Sequence, residues 1–400
     1  MPERSYFDWN ATAPLRAEAR RALTEALALP GNPSSVHAEG RAARRLLEDA
    51  RHEVAALVGA KPSDVFFTSS GTEANMLALS PGWETAVEKA PRDRLLISAI
   101  EHVSVQAGGR FARGAKEGAM EGTMEEIPVG ADGRLNLAAL AGAVAKSGPR
   151  TGHCLVSLML ANNETGVIQP VAEASAIVHA AGGLLHVDAV QAVGRIPCDI
   201  GALGADLLTL SAHKIGGPKG VGALVRARED LHLADPLIRG GGQERGLRAG
   251  TENVAGIAAF GAAAAAARQT GEVEAARMLA LRDRLEAGLV SIAPGTVIFG
   301  READRLPNTT LFTLAGMKAE TAVIAFDLEG IAVSSGAACS SGKVQPSHVL
   351  AAMGVSPELL RGAVRVSLGF ETTETDIERF LNAWRKLATA LSSGRSGLAA

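Results

Sequence analysis

A series of short apolar runs, each ending in small or polar residues, dominates residues 65 to 225 of this chain. Val65-Phe66-Phe67-Thr68-Ser69 hands over to Ser70-Gly71-Thr72-Glu73-Ala74-Asn75. Leu95-Leu96-Ile97-Ser98 is followed by Glu101-His102, and residues 154–160 by Ala161-Asn162-Asn163-Glu164-Thr165-Gly166. Leu184-Leu185-His186-Val187-Asp188 runs into Ala189-Val190-Gln191, and Leu207-Leu208-Thr209-Leu210-Ser211 into Ala212-His213-Lys214. Gly222-Ala223-Leu224-Val225 comes next. Helical periodicity fills the gaps, for example at residues 171–181. Such alternation predicts a mostly parallel sheet sandwiched by helices, an α/β fold. Ligands of these sheets bind beyond the carboxyl ends of the strands. The polar clusters fall there.

Four hundred residues exceed one ordinary domain. Residues 16–29 and 38–58 have helical period, separated by Gly31-Asn32-Pro33-Ser34-Ser35. After the glycine-rich loop 240–246, an alanine-rich helix is expected from Asn253 towards Val290, with a break near Gly271. Strands at residues 309–313, 331–335 and 364–368 form a smaller α+β unit, closed by a helix from about Thr373. The tail from Ser392 is expected to fray. The resulting division is a large domain, 15–255, and a small domain made of 1–14 and 256–400.

Several classes are disfavoured. Apolar residues at 47% supply a core, and 21% charged residues argue against disorder. A net charge of −3 with no sustained Lys/Arg cluster disfavours nucleic acid or an anionic membrane as partner. No signal region or bilayer-spanning run is present; the alanine stretch near Phe260 ends at Arg268. A soluble, cytoplasmic protein is expected. Cys154, Cys198 and Cys339 are widely spaced without a Cys-x-x-Cys pair, so neither a disulfide framework nor a metal site is expected. Cys154 opens an apolar run and reads as a core residue.

Chemistry concentrates at the strand ends. A lysine delivered there, Lys214, can be desolvated and become an amine able to form a Schiff base. Asp188 can pair with a ring N–H and keep a pyridine protonated. His102 can stack on a ring or move protons. Ser70-Gly71-Thr72, turning into a helix N-terminus, is a phosphate site in kind. No Walker loop exists, because Gly342-Lys343 is followed by Val344. Taken singly, each residue has a plainer role: a surface lysine, a helix-capping Asp, a helix-start histidine, a capped turn. Together they describe a site for pyridoxal 5′-phosphate.

The chain resembles the class V aminotransferase group of pyridoxal-phosphate enzymes, and within it the cysteine desulfurases that supply sulfur for iron–sulfur clusters. The resemblance rests on residues 8–12, 31–37, 67–73, 101–102, 161–166, 186–191, 211–214, 239–251, 334–342 and 364–368, in the family's order over nearly the whole chain. It implies the fold type I architecture of pyridoxal-phosphate transferases. It implies that Lys214 bonds the cofactor and moves the Cα proton. Asp188 pairs with the pyridine nitrogen, Gln191 with the phenolic oxygen, and His102 stacks on the ring as a further acid–base. Gly71, Thr72, Ser211 and His213 hold the phosphate, and Thr251 reaches the phosphate of the partner's cofactor in a homodimer. Asn163 and Arg365 bind the substrate carboxylate. Cys339 is the nucleophile that receives sulfur as a persulfide.

The small residues around Cys339, from Gly336 to Gly342, suit a thiol that collects sulfur in one place and delivers it in another. Its attack needs the thiolate. The implied reaction converts L-cysteine to L-alanine and passes sulfur to an acceptor or iron–sulfur scaffold protein. Rival readings are a selenocysteine lyase, another class V aminotransferase in which Cys339 is idle, and a non-catalytic scaffold. The short stretch after the last helix favours the nitrogen-fixation type or a stand-alone homologue.

Overall fold

The computed structural model describes residues 4–86, 89, 91–111, 123–146, 154–335 and 346–396. Its larger sheet has the strand order Val65–Thr68, Gly222–Arg226, Leu207–Ser211, Leu184–Asp188, Cys154–Met159, Arg94–Ser98, Thr123–Ile127. Gly222–Arg226 runs against its two neighbours, and the remaining pairs are parallel. The central strands are apolar almost throughout because both of their faces are buried. Successive side chains alternate between two layers. Phe67, Leu96, Val156, Leu185 and Leu208 join one core, while Phe66, Leu95, Leu155, Leu184 and Leu207 join the other.

The expected break at Gly271 does not occur: one helix runs unbroken from Val254 to Ile292. A helical glycine costs about 1 kcal/mol relative to alanine, and the packing of the helix into a core on either side of it offsets that. The helix serves two cores. Ile257, Phe260, Ala263 and Ala267 pack with the large sheet, whereas Met278, Leu281, Leu285 and Leu289 pack with Phe312, Val364, Phe380 and Trp384. At Gly261 it crosses the Ala38–Leu57 helix so closely that a Cβ would lie 2.5 Å from the Ala50 Cα. The boundary at residue 255 thus falls in the first turn of this helix, and the side chains change cores only after Ala267.

The smaller sheet is antiparallel, ordered Val297–Ile298, Thr309–Thr313, Val364–Ser367, Ser334–Ser335. The expected strand at 331–335 is two short ones, because its ends pair with different partners. Ile331–Ala332 pairs in parallel with Ser5–Tyr6, and Ser334–Ser335 pairs with Val364–Ser367. Asp8 bridges onto Ser367, so the first segment threads along the small sheet before entering the site. The last helix, Glu374–Ser396, includes residues 392–396, so the expected fraying does not begin at Ser392. Among the described residues no helix is long and apolar enough to cross a membrane.

Candidate active site

A pocket of about 210 Å³ opens at the carboxyl ends of the parallel strands. Its lining includes Gly71, Thr72, His102, Asn163, Asp188, Gln191, Ser211, His213 and Lys214. These arrive from five strand ends or the turns after them, and that common edge is what unites residues so far apart in sequence.

One end of the pocket is a helix N-terminus. Ser70 caps Gly71–Ala78 by accepting from Glu73 N at 3.2 Å, and Glu73 in turn accepts from Ser69 N at 2.7 Å. The first amides of that helix have no intrahelical acceptor and sit at its positive end. Gly71 keeps the turn open: a Cβ would approach Val190 Cγ2 to 3.1 Å and Ser211 Cβ to 3.2 Å. Ser211 ends its strand here. His213 follows it, with Nδ1 3.2 Å from Thr12 Oγ1. Burial, then the Lys214 and Lys219 charges, push the His213 imidazole down to about 4. It is neutral at neutral pH and serves as a hydrogen-bonding group.

At the other end, buried Asp188 accepts from Val190 N at 2.9 Å and from Asn75 Nδ2 at 2.8 Å. His102 caps the short helix Val103–Gln106. Burial is the main cause of its lowered pKa; Asp188 works against it, and Lys214 and His348 add to it. Lys214 Nζ donates to the carbonyls of Asn10 and Ala11. Gln191 Nε2 donates to the same Asn10 carbonyl at 2.9 Å, while its Oε1 accepts from Arg195 at 2.6 Å.

Arg365 is buried beside Asn163. Nη1 donates to the Asn163 carbonyl at 3.0 Å and Nη2 to Asp8 Oδ1 at 2.8 Å. Among the described residues its Nε has no hydrogen-bond acceptor, which leaves one buried donor for an anion.

Two expected residues stand apart. Thr251 is exposed and does not line this chain's pocket. Cys339 lies outside the described residues. Other residues play parts that single-residue arguments did not find. Asn10 is a hub: it also donates to the Asn163 carbonyl at 3.1 Å and to Thr309 Oγ1 at 2.9 Å. Glu101 is fully buried, accepts from Met159 N at 2.7 Å, and has a second oxygen without a partner among the described residues. Burial holds its carboxyl well above the usual range, with Asp188 adding to the effect. Glu164, buried against Ser347, is raised to about 7, chiefly by burial. Only position within the recurrent Asn and Glu clusters at strand ends could have flagged these residues.

The donor set fits pyridoxal 5′-phosphate: an amine for its aldehyde, a carboxylate for its ring nitrogen, and a glycine-opened helix N-terminus with Ser211 and His213 for its phosphate. Comparison with known proteins agrees. A family model described as aminotransferase class-V matches residues 5–380. A cysteine desulfurase of Cereibacter sphaeroides is 45% identical over 382 residues, covering 95% of this chain and 94% of that protein. The cysteine desulfurase NifS of Azotobacter vinelandii is 39% identical over 381 residues, covering 94% and 90%. A solved NifS-like protein from Rickettsia africae superposes with a TM-score of 0.82 at 35% identity, covering 96% of this chain and 99% of that one. With this match from end to end and a pocket built for the cofactor, the chain belongs to the class-V aminotransferases, pyridoxal 5′-phosphate enzymes of fold type I.

Proposed function

We propose that this protein is a cysteine desulfurase. It converts L-cysteine to L-alanine and passes the sulfur, as a persulfide on Cys339, to an acceptor protein of iron–sulfur cluster assembly. The observation that carries this reading is the convergence of Lys214, Asp188 and His102 in one pocket, in a chain whose near-full-length relatives bear that name. The same names weigh against selenocysteine lyase or another aminotransferase.

Pyridoxal 5′-phosphate, when bound, supplies a carbonyl for amines and a ring that withdraws electrons from the substrate. Lys214 is the amine for that carbonyl and then moves the proton at the substrate Cα. The Asp188 carboxylate holds the proton on the ring nitrogen, and Gln191 orients the ring through its phenolic oxygen. His102 covers the ring face. Gly71, Thr72, Ser211 and His213 hold the phosphate. Asn163 and Arg365 grip the substrate carboxylate; Asp8 already orients the planar guanidinium. The Cys339 thiolate attacks the substrate sulfur. An S–S bond forms as the C–S bond breaks, and the carbon keeps the bonding pair, takes up one proton and ends as the alanine methyl.

The reading includes a homodimer in which Thr251 meets the partner's cofactor phosphate, supported by the exposure of Thr251 on its own chain. It also includes a cytoplasmic location and a division into 15–255 and 1–14 with 256–400; two separate cores support two domains, with helix residues up to Ala267 packed in the larger one. Cys339→Ala tests the function. The variant is expected to keep the visible absorption of bound cofactor and to lose alanine and sulfide production from L-cysteine. Normal turnover by that variant refutes the assignment.

A further inference from the structure

We propose that Asn75 and Ser104 fix the tautomer of His102, so that its neutral ring carries hydrogen on Nε2 and acts in the pocket as a proton donor. They are positioning residues. The proposal rests on the reading above only in giving His102 a partner to donate to.

Hydrogen-bond direction settles the tautomer. The Ser104 backbone N–H can only donate, and it lies 3.2 Å from His102 Nδ1. That nitrogen therefore presents its lone pair. Ser104 Oγ is 2.8 Å from the same atom. Asn75 Nδ2 donates to this hydroxyl at 2.9 Å, which leaves the hydroxyl's own hydrogen for Nδ1. The Asn75 amide cannot be turned over. Its NH₂ also donates to Asp188 Oδ2 at 2.8 Å, where a carboxylate only accepts. Its carbonyl accepts from Thr209 Oγ1 at 2.6 Å.

The network continues inward with the same polarity. His186 Nε2 is 3.3 Å from Thr209 Oγ1, and His186 Nδ1 is 2.8 Å from Ser157 Oγ. Burial pushes the His186 imidazole down to about 4, so this ring is neutral too. The donors run in one direction: Ser157 to His186, to Thr209, to Asn75, to Ser104, to His102. Asn75, Ser104, Thr209 and His186 are all buried, so water does not compete for these bonds.

The consequence is a division of labour. A proton added to His102 must go to Nδ1, where two donors already converge. Hydrogen bonds to the neutral form disfavour the charged form. His102 therefore gives a proton from Nε2, and removal of the Cα proton falls to Lys214. The charged or titratable groups that act on His102 are Asp188, Lys214 and His348.

The test is nitrogen-15 NMR of the histidine-labelled holoenzyme, with His102 assigned by His102→Gln. Wild type is expected to show Nε2 protonated and Nδ1 unprotonated at neutral pH. Ser104→Ala removes one donor. It should weaken the preference for the Nε2–H tautomer, which the backbone N–H of residue 104 still supports, raise the His102 midpoint by about one unit, a tenfold change in proton affinity, and move the acid limb of the activity profile with it. Ser104→Thr should restore wild-type behaviour, and Asn75→Ala should act in the same direction as Ser104→Ala. Protonated Nδ1 in wild type overturns the proposal, as does a Ser104→Ala variant with unchanged spectra and pH profile. Failure to make alanine from cysteine would strike the proposed function alone and leave the tautomer measurement standing.

Discussion

The loop that carries Thr251 is held by a buried ion pair, and breaking that pair should loosen both the fold and the loop. Glu244 accepts from Arg51 Nη1 at 2.7 Å and Nη2 at 2.9 Å, and from Phe67 N at 2.9 Å. Both side chains are almost fully buried. Glu244 and Arg245 sit at φ 47° and 53°, a left-handed conformation that costs non-glycine residues about 1 kcal/mol or more each. The ion pair offsets that strain. Glu244→Ala keeps the strained backbone and leaves a buried guanidinium and a backbone N–H short of acceptors. Breaking a buried pair costs roughly 3–5 kcal/mol, and the orphaned N–H adds about 1. A chain of 400 residues unfolds with an entropy of roughly 0.8 kcal/mol/K, at about 2.1 cal/mol/K per residue. The expected fall in Tm is therefore about 5–7 °C, read by calorimetry of the holoenzyme. Arg51→Met with Glu244→Ala removes both charges and should lose at least about 1 kcal/mol less than the two single losses combined. Trypsin should also cut after Arg245 and Arg248 faster in Glu244→Ala. A Tm change within 1 °C, or strict additivity in the double variant, refutes the reasoning.

Other outcomes follow from the site. Glu164 binds its proton more tightly folded, at about 7, than unfolded, at 4.5. Its contribution is fully present below about pH 4.5 and is lost as pH rises through 7, up to about 3 kcal/mol. Comparing wild type with Glu164→Gln in denaturant titrations from pH 5 to 8 should show that slope only in wild type. Gly71→Ala places a methyl against Val190 and Ser211 in the turn. It should weaken cofactor binding about tenfold, seen as faster loss of visible absorption on dilution, with little change in Tm of the cofactor-free protein. Cys154 and Cys198 are buried, and burial pushes the Cys198 thiol up to about 12. Mass spectrometry after brief iodoacetamide treatment of native protein should find both unmodified.

The strand ends were legible because strong apolar runs stop abruptly at Asp188 and Ser211, and the sheet carries both to one edge. The Thr123–Ile127 strand was not legible. It lies at the sheet edge and contains Glu125 and Glu126, so it lacks the apolar pattern of a doubly buried strand. Asn10, Asn75 and Ser104 were also missed as site residues. An amide or hydroxyl has no period and no charge in sequence; its importance comes from partners tens or hundreds of residues away, as in the Asn75–Asp188 and Asn10–Thr309 bonds. The left-handed Glu244 was equally silent, since nothing local favours that conformation. Gly271 misled in the opposite sense, because a helix anchored in two cores tolerates one poor residue.

The first strand and the segment after it have a consequence for how the enzyme comes into being. Asn10 supplies the carbonyl that receives Lys214 and Gln191, yet its own amide donates to Ser367 at 3.0 Å, 357 positions along the chain. A contact that long closes late in folding. The parallel strands can assemble while synthesis is still in progress, but the wall that holds Lys214 is complete only when nearly all of the polypeptide has been made. The lysine is thus kept from its full setting until the residues that bind the substrate, Arg365 among them, also exist.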